Sequence, residues 1–323
     1  MRIRWLPVVG LLALGGLAQG VKPAETAAQG VQELAAACAG EDPIHVDRCR
    51  DAALTARELQ GGMGLAVSGG SLLGGSGSTL GHRMEGRPRV SLDIGGNLAR
   101  IRHPDLLGGQ GDPAAPTRRT APRLGAGVTL GVFDGFAPLP TVGGVLSVDL
   151  VARGNVVSLP RDEGFSSSLA AYGAGVRVGL LRESFTLPGV TFSAAHHRMG
   201  SFRFGSLLAG DPARIDLDPR ATSLRLVTEK DVRGAGLMAG TGWDRVQGTV
   251  RAEVAGDGDG GSVERLRSSR PTLFAGGNIT YLVLRVSAEL GWAPSHDGVA
   301  EWGDRPFQPE SAWYGTLGLR VTY

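Results

Sequence analysis

From about Arg87 to the C-terminus the chain alternates apolar and polar residues with a period of two. In Pro88 to Leu98, Val90, Leu92, Ile94, Gly96 and Leu98 fall on one side, and Arg89, Ser91, Asp93, Gly95 and Asn97 on the other. The same alternation runs through Leu124 to Val132, Leu146 to Leu150, Ala174 to Leu180, Val190 to Ala194 and Leu282 to Trp292. In the last segment Trp313, Gly315, Leu317, Leu319, Val321 and Tyr323 oppose Ala312, Tyr314, Thr316, Gly318, Arg320 and Thr322. Each stretch predicts a strand with one apolar and one polar face. The charges Arg89, Asp93, Asp149, Arg177, Arg225, Arg285, Glu289 and Arg320 all sit opposite the aliphatic row.

A soluble sandwich would also oppose charge to its core, so parity alone does not name the solvent. The ends of the last strand do. From Trp313 to Tyr323 the chain climbs about 25 Å if the strand tilts by about 40°, close to the height of the apolar band of a transmembrane barrel. Aromatic rings gather at the edges of that band, and Trp292, Trp313 and Tyr323 read as its interface residues. Connections also alternate in length. Ala137–Val142, Arg182–Pro188, Lys230–Arg233 and Gly277–Asn278 read as short turns. His103–Pro122, Asn155–Gly164, Ser206–Arg220, Gly256–Gly261 and Ala293–Glu310 read as long polar loops.

The expectation is an all-β, antiparallel up-and-down transmembrane barrel of about ten strands over residues 88–323. One segment resists that count. Apolar parity is odd at Ala235, Leu237 and Ala239 but even at Val246, Gly248, Val250 and Val254, which predicts a bulge or a turn between Gly242 and Val246. With a turn there, the glycine-rich Met63–Gly70 stretch supplies a further strand, giving about twelve.

The ending Thr316-x-Gly318-x-x-Val321-x-Tyr323 resembles the C-terminal signature of bacterial outer-membrane β-barrel proteins, in which a terminal Phe or Tyr closes the last strand. That resemblance implies an outer-membrane location and outer-membrane lipid around the aliphatic face. It also implies recognition of this segment by the barrel-assembly machinery during biogenesis.

The N-terminal part has a different texture. Residues 1–20 read as a secretory signal peptide cut near Gly20: Arg2 and Arg4, an apolar run from Leu6 to Leu17, then Ala18-Gln19-Gly20. Residues 21–61 show helical spacing. Ala27, Val31, Leu34, Ala35 and Cys38 share one face, with Gly40 as a stop. Asp42-Pro43 starts a second helix, with Cys49, Ala52, Ala53, Ala56 and Leu59 on one face and a stop at Gly61. Cys38 and Cys49, the two cysteines of the chain, fall on these faces, and an oxidising periplasm would bridge them. The stapled hairpin belongs either in the periplasm or inside the barrel as a plug, and residues 62–87 are a glycine-rich linker or an extra strand.

Composition narrows the function classes. Hydrophobic content of 42% and a mean hydropathy of zero exclude a bundle of membrane helices but suit a barrel, whose strands are only half apolar. A net charge of +2 leaves no nucleic-acid footprint. The runs at Gly125, Gly173 and Gly234 read G-x-G-x-x-x-G, one residue too long for a phosphate loop and without a strand-to-helix turn. Glycine on a lumen face, leaving interior space, accounts for them better. His196 and His197 are adjacent on a strand and point to opposite faces, and neighbouring Ser193 and Ser201 form no H-x-S or G-x-S-x-G motif. Cys38, Cys49 and His45 are one ligand short of a metal site, and Asp257-Gly-Asp259 is too sparse for calcium. No cofactor, metal or catalytic residue is assigned, and an outer-membrane hydrolase ranks last. The leading reading is a barrel that passes or binds small anionic or amphiphilic solutes along a route lined by the inward arginines. The alternative is a non-conducting structural or adhesive barrel whose inward charges pair with one another.

Overall fold

A computed structural model describes residues 23–39, 46–83, 85–103, 117–138, 143–166, 168–256, 261–295 and 311–323. The signal peptide, the Gly40 stop, the Asp42-Pro43 start, His45 and the Asp257–Asp259 pair lie outside the described residues.

Among the described residues two helices, α1 (Pro23–Ala39) and α2 (Val46–Ser68), precede eleven strands. These are β1 (Val90–His103), β2 (Thr117–Phe133), β3 (Ser147–Val157), β4 (Leu169–Leu181), β5 (Gly189–Met199), β6 (Phe202–Phe204), β7 (Ala213–Val232), β8 (Ala235–Val254), β9 (Ser262–Tyr281), β10 (Leu284–Ala293) and β11 (Ala312–Thr322). Neighbours in sequence pair antiparallel. β1 pairs with β11, and β5 pairs with β7, so the sheet closes on itself as a barrel of ten strands. The three-residue β6 is an addition on the edge of β7. At the β1–β11 seam, Val90 and Tyr323 exchange both backbone hydrogen bonds, at 3.1 and 2.8 Å.

The expected alternation holds around the wall. Leu92, Ile94, Leu98, Leu124, Val128, Leu150, Val176, Leu224, Leu273, Ile279, Leu290 and Leu317 are all exposed on its outer face. Large aliphatic side chains on every side of a closed barrel are stable only where the surroundings are themselves apolar. Trp243, Trp313 and Tyr172 are exposed towards one end of this belt, Tyr281 and Tyr323 towards the other.

A charge in the middle of this belt tests the assignment. Leu317→Arg should lower the free energy of unfolding by about 2–4 kcal/mol, the cost of a cation at the bilayer midplane. The readout is the urea midpoint of barrels refolded in lipid vesicles. An unchanged midpoint would mean that lipid does not cover this face.

β8 corrects the expected break between Gly242 and Val246. Its pairing with β7 and β9 runs without a register shift, and the side that faces inward never changes: Gly236, Met238, Asp244, Val246, Val250 and Ala252 all point into the barrel. The medium outside changes instead. A strand of 20 residues climbs about 50 Å at a 40° tilt, roughly twice the apolar band. Beyond Trp243 the outer face turns polar, with Arg245, Thr249 and Arg251, and the inner face turns apolar because it packs against the helices. β7 and β9, also 20 residues each, do the same: Ile215 and Leu217, and Leu266, point inward there. No extra strand is needed, and Met63–Gly70 is not one.

Other boundaries move as well. The expected turn at Gly277–Asn278 lies within β9, and the reversal comes at Leu282–Val283, with Leu282 at φ 55°. The expected loop Ser206–Arg220 is strand from Ala213 onward. Arg233 and Gly234, at φ 56° and 86°, form the two-residue β7–β8 turn, as a hairpin with two left-handed central residues requires.

Candidate functional site

The interior is occupied by the chain's own N-terminal part. α1 lies at the long-connection end, where Val31, Leu34, Ala35 and Cys38 are buried against α2 and β9, and the Ser262 hydroxyl donates to the Leu34 carbonyl at 3.3 Å. Cys38 and Cys49 are disulfide-bonded. From there α2 runs down the lumen, and every residue from Ala52 to Ser68 is buried.

α2 does not stop at Gly61. It continues through Gly61, Gly62 and Gly64, because glycine lets a helix come very close to the strand wall. A Cβ on Gly62 would stand 2.6 Å from Ile101 Cγ1, and one on Gly64 would collide with Val246. Glycine inside a helix costs about 1 kcal/mol relative to alanine, so this run reads as a terminator until the wall beside it is known.

After Ser68 the chain leaves the helix through Gly70, at φ 87°, and continues down the lumen to His82. Here the inward charges find their partners. Arg225 donates to the carbonyls of Ser68 at 2.7 Å and Gly70 at 3.1 Å while pairing with Asp244 at 2.8 Å. Glu289 accepts from the Ser71 and Gly75 amides, at 2.8 and 3.3 Å, and from the Ser71 hydroxyl. Arg177 donates to the carbonyls of Ser76 and Ser78, at 2.9 and 3.1 Å, and pairs with Asp149 at 3.0 Å. Asp149 in turn accepts from the Leu80 amide at 3.0 Å. Arg285 pairs with Glu229 at 2.8 Å and Asp231 at 3.0 Å, and also donates to the Gly75 carbonyl. A non-regular stretch buried this deeply must satisfy its backbone polar groups somewhere, and lumen side chains do so here.

The remaining sequence-assigned residues fall as follows. Asp93 pairs with Arg153, not with its cross-strand neighbour Arg320. Arg89 is exposed at the short-turn end. Thr316 and Gly318 lie on the lumen side of β11, with Thr316 against Gly70, while Val321 and Tyr323 lie on the outer side. Trp292 and Trp313 are cross-strand partners. The structure adds residues to which the sequence assigned no role in the lumen. Arg123 donates to the Val67 carbonyl at 3.1 Å, and Asn97 to the Ala66 carbonyl at 2.8 Å. Asn278 donates to the Gly75 carbonyl at 3.2 Å. Their signal was a polar residue at an inward position next to no obvious opposite charge.

Glycine on the lumen wall makes room for these side chains. A Cβ on Gly242 would stand 2.5 Å from Arg225 Cδ, and one on Gly127 2.7 Å from an Asp93 carboxylate oxygen. His196 and His197 face opposite ways: His196 contacts Thr222 at 3.1 Å on the outside, and His197 is buried inside. Among the described residues no group of three or more His, Cys, Asp or Glu is placed to hold a metal ion.

No family model matches the chain, and no curated protein matches its sequence. Among solved structures it is similar to the translocator domain of the autotransporter NalP from Neisseria meningitidis, at 10% identity and a TM-score of 0.39, over 88% of this chain and 99% of that one. It is similar to the transport unit of the autotransporter AIDA-I from Escherichia coli, at 10% identity and a TM-score of 0.38, over 84% and 99% of the two chains. The outer membrane protease OmpT from Escherichia coli gives 11% identity and a TM-score of 0.35, over 77% of this chain and 100% of that one. Likeness at this level carries no argument about activity. What this chain is rests on its own geometry: a closed antiparallel barrel with a lipid-type outer wall, the architecture of outer-membrane β-barrels.

Proposed function

We propose that the chain is a non-conducting outer-membrane barrel, closed by its own N-terminal segment, that presents α1 and the projecting walls of β7, β8 and β9 as a surface at the long-connection end. One observation carries this reading. Asp149, Arg177, Arg225, Arg285 and Glu289, charged lumen residues that could have lined a solute route, hold the backbone of Ser68 to Leu80 instead. A passive transport path for small anionic or amphiphilic solutes would require that segment to leave, which means breaking several buried, charge-assisted hydrogen bonds at once. The barrel-assembly machinery remains the proposed partner during biogenesis, acting on the β11 ending.

Planar-bilayer recordings test the reading. The purified barrel should give no steady single-channel conductance, whereas a variant lacking residues 23–80 should conduct. Steady conductance from the intact chain would overturn the proposal in favour of transport.

A further inference from the structure

The lumen is not filled to its short-turn end. A cavity of about 450 Å³ opens there, between the descending segment and the rim near Tyr323. Its charged lining is Arg83, Arg89, Arg285 and Arg320 with Glu183 and Glu229.

The charges do not cancel. Glu229 is taken by Arg285 at 2.8 Å, Asn278 at 2.7 Å and the Gly77 amide. Glu183 is taken by Lys230 at 3.5 Å and the Asp231 amide at 2.6 Å. Arg285 is spent on Glu229 and Asp231. Arg320 is different. It sits across from Asp93 on β1 and Arg285 on β10. Asp93 and Glu229 attract it, but each is already paired, with Arg153 and with Arg285, while Arg285 and Arg177 repel it. Arg320 is only 7% exposed, and its Nε and Nη1 atoms have no hydrogen-bond partner among the described residues. Arg83 and Arg89, exposed at the entrance, likewise make no ion pair among the described residues. A buried guanidinium costs several kcal/mol unless its charge and donors are met, and its planar fork matches an oxyanion.

We propose that the short-turn end of the lumen is a binding site for an organic phosphate, with Arg320 taking the phosphate oxygens and Arg83 and Arg89 flanking the entrance. Three uncommitted cations favour a group carrying close to two negative charges at neutral pH over a carboxylate. The cavity lies in the size range of small-molecule sites and exceeds what inorganic phosphate needs. The phosphate could be that of a soluble ester or of a lipid head group, and the assignment holds whether or not the barrel conducts.

The test uses the full chain in phosphatidylcholine nanodiscs, titrated calorimetrically with phenyl phosphate. Saturable binding is expected, weakened about tenfold or more in Arg320→Gln and tighter than that of benzoate. If Arg320→Gln loses its heat-modifiable migration, the doubly exposed variant Arg83→Gln/Arg89→Gln carries the test, with a severalfold loss expected. In a second arm phosphatidic acid is added to the discs and its retention is read by native mass spectrometry. Retention by the wild type and loss in the variants, without binding of phenyl phosphate, assigns the same site to a lipid phosphate. Binding in neither arm, equal binding by wild type and variants, or benzoate binding as tightly as phenyl phosphate would each overturn the proposal.

Discussion

Arg225→Met should be among the most damaging single changes in this barrel, lowering its unfolding free energy by about 3–5 kcal/mol. The side chain is 2% exposed and donates at once to Asp244 and to the carbonyls of Ser68 and Gly70. Removing it leaves the Asp244 carboxylate buried beside the Ser68 hydroxyl, 3.0 Å away, whose single proton is shared with the Gly64 carbonyl at 2.8 Å. An uncompensated buried charge accounts for most of the loss, so the double variant Arg225→Met/Asp244→Leu should recover a substantial part of it. Urea midpoints in lipid vesicles give both numbers. A double variant no more stable than the single one would show that the lost carbonyl contacts, and not the stranded carboxylate, set the cost.

The second large effect is local. Replacing Cys38 and Cys49 by alanine should loosen α1 by about 2–4 kcal/mol, the usual worth of a bridge closing a short loop. Among the described residues α1 packs mainly on α2 and the projecting ends of β9 and β8, so the barrel below should not notice. Amide exchange of Val31 to Ala39 should accelerate by between about 30-fold and 1,000-fold, while exchange in β1 and β11 stays unchanged. Equal acceleration in both regions would mean that the hairpin and the barrel open as one unit.

The barrel class was legible in the sequence because a two-residue period and aromatic band edges are local properties of each strand. The disulfide was legible because two helical faces each offered one cysteine. Three features were not. The change of parity at Val246 records a change of medium from lipid to water outside β8, and a window of sequence holds no membrane height. Gly61 to Gly64 read as a helix end because the reason for the glycines, Ile101 and Val246 on the wall, lies far away in the chain. The inward charges were visible as inward, but Asp149, Arg177, Arg225, Arg285 and Glu289 also bond backbone groups of Ser68 to Leu80, which carry no side-chain signal. Satisfaction of a buried irregular segment is a property of the fold, and only the fold reveals it.

The path of the N-terminal segment has a mechanical consequence. Its broad stapled head sits at one mouth of the cylinder, its shank passes through the middle, and its tail is covalently continuous with the first stave at the other mouth. It behaves as a rivet: neither mouth can dilate, nor can the staves shear past one another, without breaking the bonds that grip the shank.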